Sequence, residues 1–220
     1  MIPIPRPLVK FCGMTVKEDV TYAADLGAAA VGFVFWKDSK RYVSPARARE
    51  LANSLPAFVV PVGVFVDEPI DEVKKIVEFV GLGAVQLHGH EDPMSIHTLT
   101  CRVMKAIGEP GTDLLAEALK WAGDVTLLID NMDAKQYGGT GKLADWSMAR
   151  AIAEKRRVVL AGGLRPDNIA EALIHVKPYG VDVSSGVEQP GRPGHKDRAR
   201  MKAFMDAVEA TVNGMIDFRR

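Results

Sequence analysis

Eight short apolar runs punctuate the chain, spaced so that one helix fits between most neighbours. They span residues 8–12, 31–35, 58–66, 84–87, 103–107, 125–129, 158–160 and 181–183. Most are apolar along their whole length rather than alternating, which is the pattern of a strand covered on both faces. Helical periodicity fills 17–26, 45–53, 69–79, 113–121, 146–155 and 166–175, several with an acidic or proline first turn. The stretch 92–99 is a shorter helical pattern, and 197–212 closes the chain. Eight strand–helix units in 220 residues is about 27 residues per unit. That stoichiometry predicts an α/β fold, a (β/α)8 TIM barrel, with residues 1–220 as one domain and 1–7 as its lead-in. A doubly wound open sheet more often stops at five or six strands, and no GxGxxG follows the first run. In such a barrel the chemistry lies on loops leaving the C-terminal strand ends, so the residues just after each run are the candidates.

Composition narrows the partner. Lys and Arg total 28, as do Asp and Glu, which removes the basic surplus that nucleic-acid and anionic-membrane binding require. The longest uncharged apolar run, 26–36, is far short of the ~18 residues of a membrane span. The opening MIPIPRPLVK lacks a signal-peptide core, and two cysteines make no disulfide framework, so a reducing cytoplasm is expected. His88 and His90 lie two apart with no acid or cysteine set to complete a metal site, so no metal is expected. A small molecule remains as partner; monomer and homodimer both stay open.

The strand ends carry the chemistry-bearing residues. Cys12 ends the first run, followed by Gly13 and a Thr15 able to cap the next helix; it reads either as a reactive thiol or as a small buried hydrophobe. Cys101 precedes the fifth run, at the opposite end, and reads as structural. After the second run come Lys37, Lys40 and Arg41, either a solvated basic loop or an anion site, with Arg41 suited to grip both oxygens of a carboxylate. Gln86 and His88 share a side of the fourth strand and would line the barrel top. Asp130 ends the sixth run, as a general acid or as the start of a turn, with Asp133 close behind. The glycines cluster at three strand ends: Gly138, Gly139 and Gly141 around Thr140; Gly162 and Gly163; and Ser184, Ser185 and Gly186. Small residues there let backbone amides approach an anion, and the loops after strands 7 and 8 are the usual phosphate site of this barrel.

Taken in order, KFCGMT, VGFVFWKDSKRYVSP, VGVFV, VQLHG, LLID followed by YGGTGKLADW, LAGGLRPDNI and VDVSSGVE resemble the phosphoribosylanthranilate isomerases of tryptophan biosynthesis. The likeness runs from near Val9 to the last helix. It implies a cofactor-independent Amadori rearrangement of N-(5′-phosphoribosyl)anthranilate to an aminodeoxyribulose phosphate. By resemblance, Asp130 matches the general acid that opens the furanose ring and Cys12 the general base at C2′. Arg41 matches the residue facing the anthranilate carboxylate. His88 and Asp182 fall on pocket positions, and Gly162, Gly163, Ser184, Ser185 and Gly186 fall where phosphate is held. A thiol serving as base needs a lowered pKa, for which nearby positive charge such as Lys10 is expected. The lead-in, the segment 130–137 and the segment 188–197 are longer here than is usual in that family. A histidine-pathway phosphoribosyl isomerase would resemble a pair of aspartates at strands 1 and 6, where this chain has Cys12 and Asp130. A non-catalytic barrel binding a phosphorylated metabolite would keep the glycine loops without needing either residue.

Overall fold

The computed structural model describes residues 6–109, 111–130 and 146–217, with side chains to 214. The eight strands are β1 Leu8–Phe11, β2 Ala30–Val34, β3 Val60–Phe65, β4 Ala84–Leu87, β5 Arg102–Ile107, β6 Thr126–Ile129, β7 Val158–Leu160 and β8 Gly180–Val183. Every neighbouring pair is parallel, and β8 pairs back onto β1, from Leu8 opposite Gly180 to Phe11 opposite Val183, closing the barrel. The helices are α1 Lys17–Asp25, α2 Pro45–Ala52, α3 Ile70–Val80, α4 Leu114–Leu119, α5 Trp146–Ala153, α6 Ile169–Val176 and α7 Arg198–Asp217.

Several element ends have a visible cause. Ser44 caps α2 by accepting from the Arg47 amide, with Pro45 at the first helical position, where its missing N–H costs nothing. Asp113 does the same for α4, accepting from Leu115 and Ala116. Thr15 does not cap α1, contrary to the sequence reading. Its hydroxyl donates instead to the Gly194 carbonyl at 2.7 Å, tying the first loop to the last. The stretch 92–99 forms only a 3₁₀ turn, Ser95–Thr98, so the barrel has no full helix between β4 and β5. Phe58, included in the third apolar run, lies before β3 and is 96% exposed.

Alternation along each strand divides the apolar residues into layers. Val9, Phe11, Val31, Phe33, Leu127, Leu160 and Val181 point outward and pack with Val20, Leu51, Ile152, Ile169 and Phe204 in one continuous core. Phe11 meets Phe204 edge-on at 6.2 Å, and Phe35 stacks on Phe65 at 5.1 Å. Inside the barrel the apolar residues form two separate groups. Ala106, Leu128, Val159 and Ala161 make one; Cys12, Val34 and Val64 make the other. Buried Lys10, Gln86 and Asp182, on β1, β4 and β8, also belong to the interior faces. The barrel interior is therefore an ion-bearing core, which must be paired to be tolerated.

Leu128→Ala should cost about 3 kcal/mol in urea denaturation, because the closed barrel cannot collapse onto the void. Leu119→Ala, on the exposed face of α4, should change stability by less than about 0.5 kcal/mol. Equal losses would contradict the layered packing.

Candidate active site

One polar chain crosses the barrel interior at its C-terminal end. Lys10 Nζ donates to Gln86 Oε1 at 2.9 Å and to Asp182 Oδ1 at 3.0 Å, and its charge acts on the neighbouring Cys12 side chain. The lysine ammonium only donates, so it fixes the Gln86 amide with its oxygen toward Lys10 and its NH₂ away. Gln86 Nε2 then donates to His88 Nδ1 at 2.8 Å. Accepting there, the neutral His88 ring must carry its proton on Nε2. That nitrogen lies 3.7 Å from Asp130 Oδ2. The run is therefore Cys12, Lys10, Gln86, His88, Asp130: it joins the end of β1 to the end of β6 through β4. Cys12, His88, Asp130 and Asp182 are all buried.

Burial sets the charge states along this chain. For Lys10, burial opposes the ammonium, but Asp182 and Cys12 outweigh it and the net direction is upward. His88 is pushed down to about 3, by burial first and then by the charges of Lys105 and Lys10. The lowered pKa that a base role requires of Cys12 is not what the substrate-free site provides. Lys10 does lower the thiol, but desolvation is larger and leaves it raised. The cations Lys10 and Arg41 both hold carboxylates of this chain.

Two loops build a second feature. Gly162 and Gly163 follow β7, and neither backbone amide donates to an acceptor among the described residues. Ser184 follows β8, and Ser185–Val187 form a 3₁₀ turn whose first amides have no partner within the turn. Gly186 packs on the Leu164 carbonyl so closely that a Cβ there would collide with it, which holds the two loops together. Asn168 braces the β7 loop: its Oδ1 accepts from the Arg165 amide at 2.8 Å and its Nδ2 donates to Gly163 O at 3.0 Å. The Ser184 hydroxyl donates to the Cys12 carbonyl at 3.1 Å. Backbone amides of this kind in adjoining loops form a ready anion cradle.

Arg41 turns inward, while Lys37 and Lys40 are exposed. Its stem lies against Gly13, which has φ +70°, so a side chain there would be strained and would strike the Arg41 stem. The fork does grip both oxygens of a carboxylate, as its chemistry suggested, but the carboxylate is Glu188 of this chain, at 2.8 and 2.7 Å.

The chain as a whole has counterparts among known proteins. The N-(5′-phosphoribosyl)anthranilate isomerase family model matches residues 9–207. The isomerase of Geobacter sp. strain M21 is 45% identical over 197 residues, 90% of this chain and 95% of that protein. The chain belongs to the N-(5′-phosphoribosyl)anthranilate isomerase family. A solved isomerase from Thermotoga maritima superposes with a TM-score of 0.85 at 38% identity, covering 93% of this chain and 99% of that one. Another solved isomerase, in complex with reduced 1-(o-carboxyphenylamino)-1-deoxyribulose 5-phosphate, gives 0.81 at 37% identity, covering 93% and 99%.

For this isomerase, the geometry gathers most sequence candidates at one barrel end: Cys12, Arg41, His88, Asp130, Asp182 and the loops at 162–163 and 184–186. Asp133 and the cluster Gly138, Gly139, Thr140 and Gly141 lie outside the described residues. Cys101 is half-buried at the start of β5, away from the mouth. Sequence reasoning missed Glu188 and Lys196, both buried and paired at 3.2 Å. The available signal was an acid placed directly after the glycine turn. The segment 188–197 folds back on itself, with Glu188 bridging Lys196 and Gln189 N bonding His195 O.

The His88 shift has a definite sign. The unfolded chain takes a proton below about pH 6.5, and the folded chain only near pH 3. Stability from the neutral ring is thus complete above pH 6.5 and lost as pH falls toward 3. Between pH 6.5 and 4, His88→Gln should flatten the fall of unfolding free energy by up to about 1.4 kcal/mol per pH unit. Identical slopes in urea titrations would contradict a neutral, buried His88.

Proposed function

We propose that this isomerase of tryptophan biosynthesis converts N-(5′-phosphoribosyl)anthranilate to 1-(2-carboxyphenylamino)-1-deoxyribulose 5-phosphate, with Asp130 as general acid and Cys12 as general base. The observation that carries this reading is the polar run Lys10–Gln86–His88, which starts beside Cys12 and ends with His88 Nε2 3.7 Å from Asp130, so that it links the two ends of the mouth. The protonated Asp130 carboxyl gives its proton to the furanose ring oxygen as the C1′–O bond breaks. The anilino nitrogen supplies the electron pair and becomes a protonated Schiff base. Cys12, once ionised with Lys10 as its counter-cation, then removes the C2′ proton; the C–H electrons form C1′=C2′ and neutralise the nitrogen, giving an enolamine. Loss of the 2′-hydroxyl proton and protonation at C1′ yields the ketone. Proton inventory balances, so no redox partner is needed.

The remaining candidates fall into roles around this axis. The amides of Gly162, Gly163, Ser185 and Gly186, with the Ser184 turn, receive the 5′-phosphate, for which unpartnered backbone donors are suited. Arg41 faces the ring carboxylate. Asp182 holds Lys10, and Lys10 in turn supplies positive charge beside Cys12. His88 Nε2–H is oriented to hold the Asp130 carboxylate once its proton has left. The partner is thus a small phosphorylated molecule. No described helix is long and apolar enough to cross a membrane, and both cysteines are free thiols. We place the protein in the cytoplasm.

The test follows the loss of anthranilate-type fluorescence from the phosphoribosyl substrate. Asp130→Asn should lower kcat about 10²–10⁴-fold while ligand binding stays measurable, and Cys12→Ser should lose a similar factor because a hydroxyl is a poorer base. Wild-type turnover with either variant unimpaired would sink that residue's role. No wild-type turnover would favour a non-catalytic phosphate-binding barrel.

A further inference from the structure

The reaction scheme leaves one buried acid in the mouth without a role. Glu188 is 6% exposed and gathers four donors. Oε1 accepts from Arg41 Nε at 2.8 Å, Gly194 N at 2.9 Å and Lys196 Nζ at 3.2 Å. Oε2 accepts from Arg41 Nη2 at 2.7 Å. Burial disfavours the carboxylate, yet Arg41 and Lys196 hold it down at about 2, so it is charged throughout the working pH range. Its position is fixed on several sides. Lys196 is fully buried and also donates to Ser184 O at 3.1 Å, while Arg200 Nη1 donates to the Glu188 carbonyl at 3.2 Å.

A guanidinium offers a carboxylate two parallel-donor edges, Nε with Nη2 and Nη1 with Nη2. Glu188 takes the first. Nη1 of Arg41 has no hydrogen-bond partner among the described residues. The stem of the same side chain lies over Gly13, next to Cys12. Two cations, Arg41 and Lys196, face this one carboxylate, so the cluster retains positive charge for a second anion.

We propose that Glu188 is a positioning residue for the substrate's ring carboxylate: it clamps Arg41 by the Nε edge so that the Nη1 edge is presented to the anthranilate group. The proposal rests on the reading of Arg41 given above. It differs from a latch, in which Glu188 would compete with the substrate for the same edge, because the two arrangements move KM in opposite directions.

Steady-state kinetics on two substrates separate the cases: N-(5′-phosphoribosyl)anthranilate and the corresponding aniline, which lacks the carboxylate. Glu188→Gln should raise KM for the anthranilate substrate about 10-fold to 100-fold, the worth of a well-placed charged hydrogen bond. It should leave kcat within about threefold and KM for the aniline unchanged, and it should add nothing in an Arg41→Ala background. Glu188→Asp, charged but one methylene short, should fall between wild type and Glu188→Gln. KM does not depend on the amount of active enzyme, so partial loss of folded protein leaves this readout intact. A lowered KM would establish the latch. An unchanged KM, or equal increases for both substrates, would reduce Glu188 to a structural residue; each of these overturns the proposal. Arg41→Ala shifting both substrates alike would instead remove the Arg41 reading, and this proposal with it.

Discussion

The barrel interior is organised around one ammonium that water cannot reach. Lys10 sits among two apolar clusters, where an unpaired charge would be prohibitively costly, and it is tolerated because Asp182 and Gln86 meet it at 3.0 and 2.9 Å. That pairing has consequences several residues away. It orients the Gln86 amide, the amide selects the His88 tautomer, and the tautomer puts the proton on Nε2, 3.7 Å from Asp130. A charge needed at one strand end thereby sets the donor geometry at another, with no movement of the backbone. The same ammonium is the largest favourable influence on the Cys12 thiolate, opposing a desolvation that is larger still.

The outer part of the mouth is assembled by loops rather than strands. The last loop returns over the first, with Thr15 bonded to Gly194 and Asp19 accepting from the Lys196 amide at 2.8 Å. This return brings Glu188 and Lys196 against Arg41 and near Cys12. The Gly186 contact with Leu164 joins the β7 and β8 loops in the same way. The side of the site proposed to meet a phosphate and the side proposed to meet a carboxylate are thus both products of loop-to-loop contact on a closed barrel, whose strand ends give the loops fixed anchors.

The strands and most of the mouth were legible in the sequence because each depends on a local apolar run. A run buried on two faces announces itself, and the next residue is then at the barrel top. Cys12, His88 and Asp130 follow from that rule. Glu188 and Lys196 do not, since their burial arises from an irregular loop folding back across eight positions. Thr15 had the right residue type for a cap, but a tertiary acceptor won the hydroxyl. Stretch 92–99 had too short a pattern to sustain more than a 3₁₀ turn. The direction of the Cys12 shift was not legible, because neighbouring charge can be counted from sequence, whereas desolvation depends on how deeply the closed barrel buries the sulfur.

The central claim is that Cys12 is a buried thiol whose ionisation Lys10 favours against a larger desolvation. The pH dependence of its alkylation by iodoacetamide, in a Cys101→Ala background, tests this most directly. The account predicts that the substrate-free thiol titrates above the ordinary thiol range and that Lys10→Met moves it higher still. A thiol titrating below that range, or one indifferent to Lys10→Met, would contradict it.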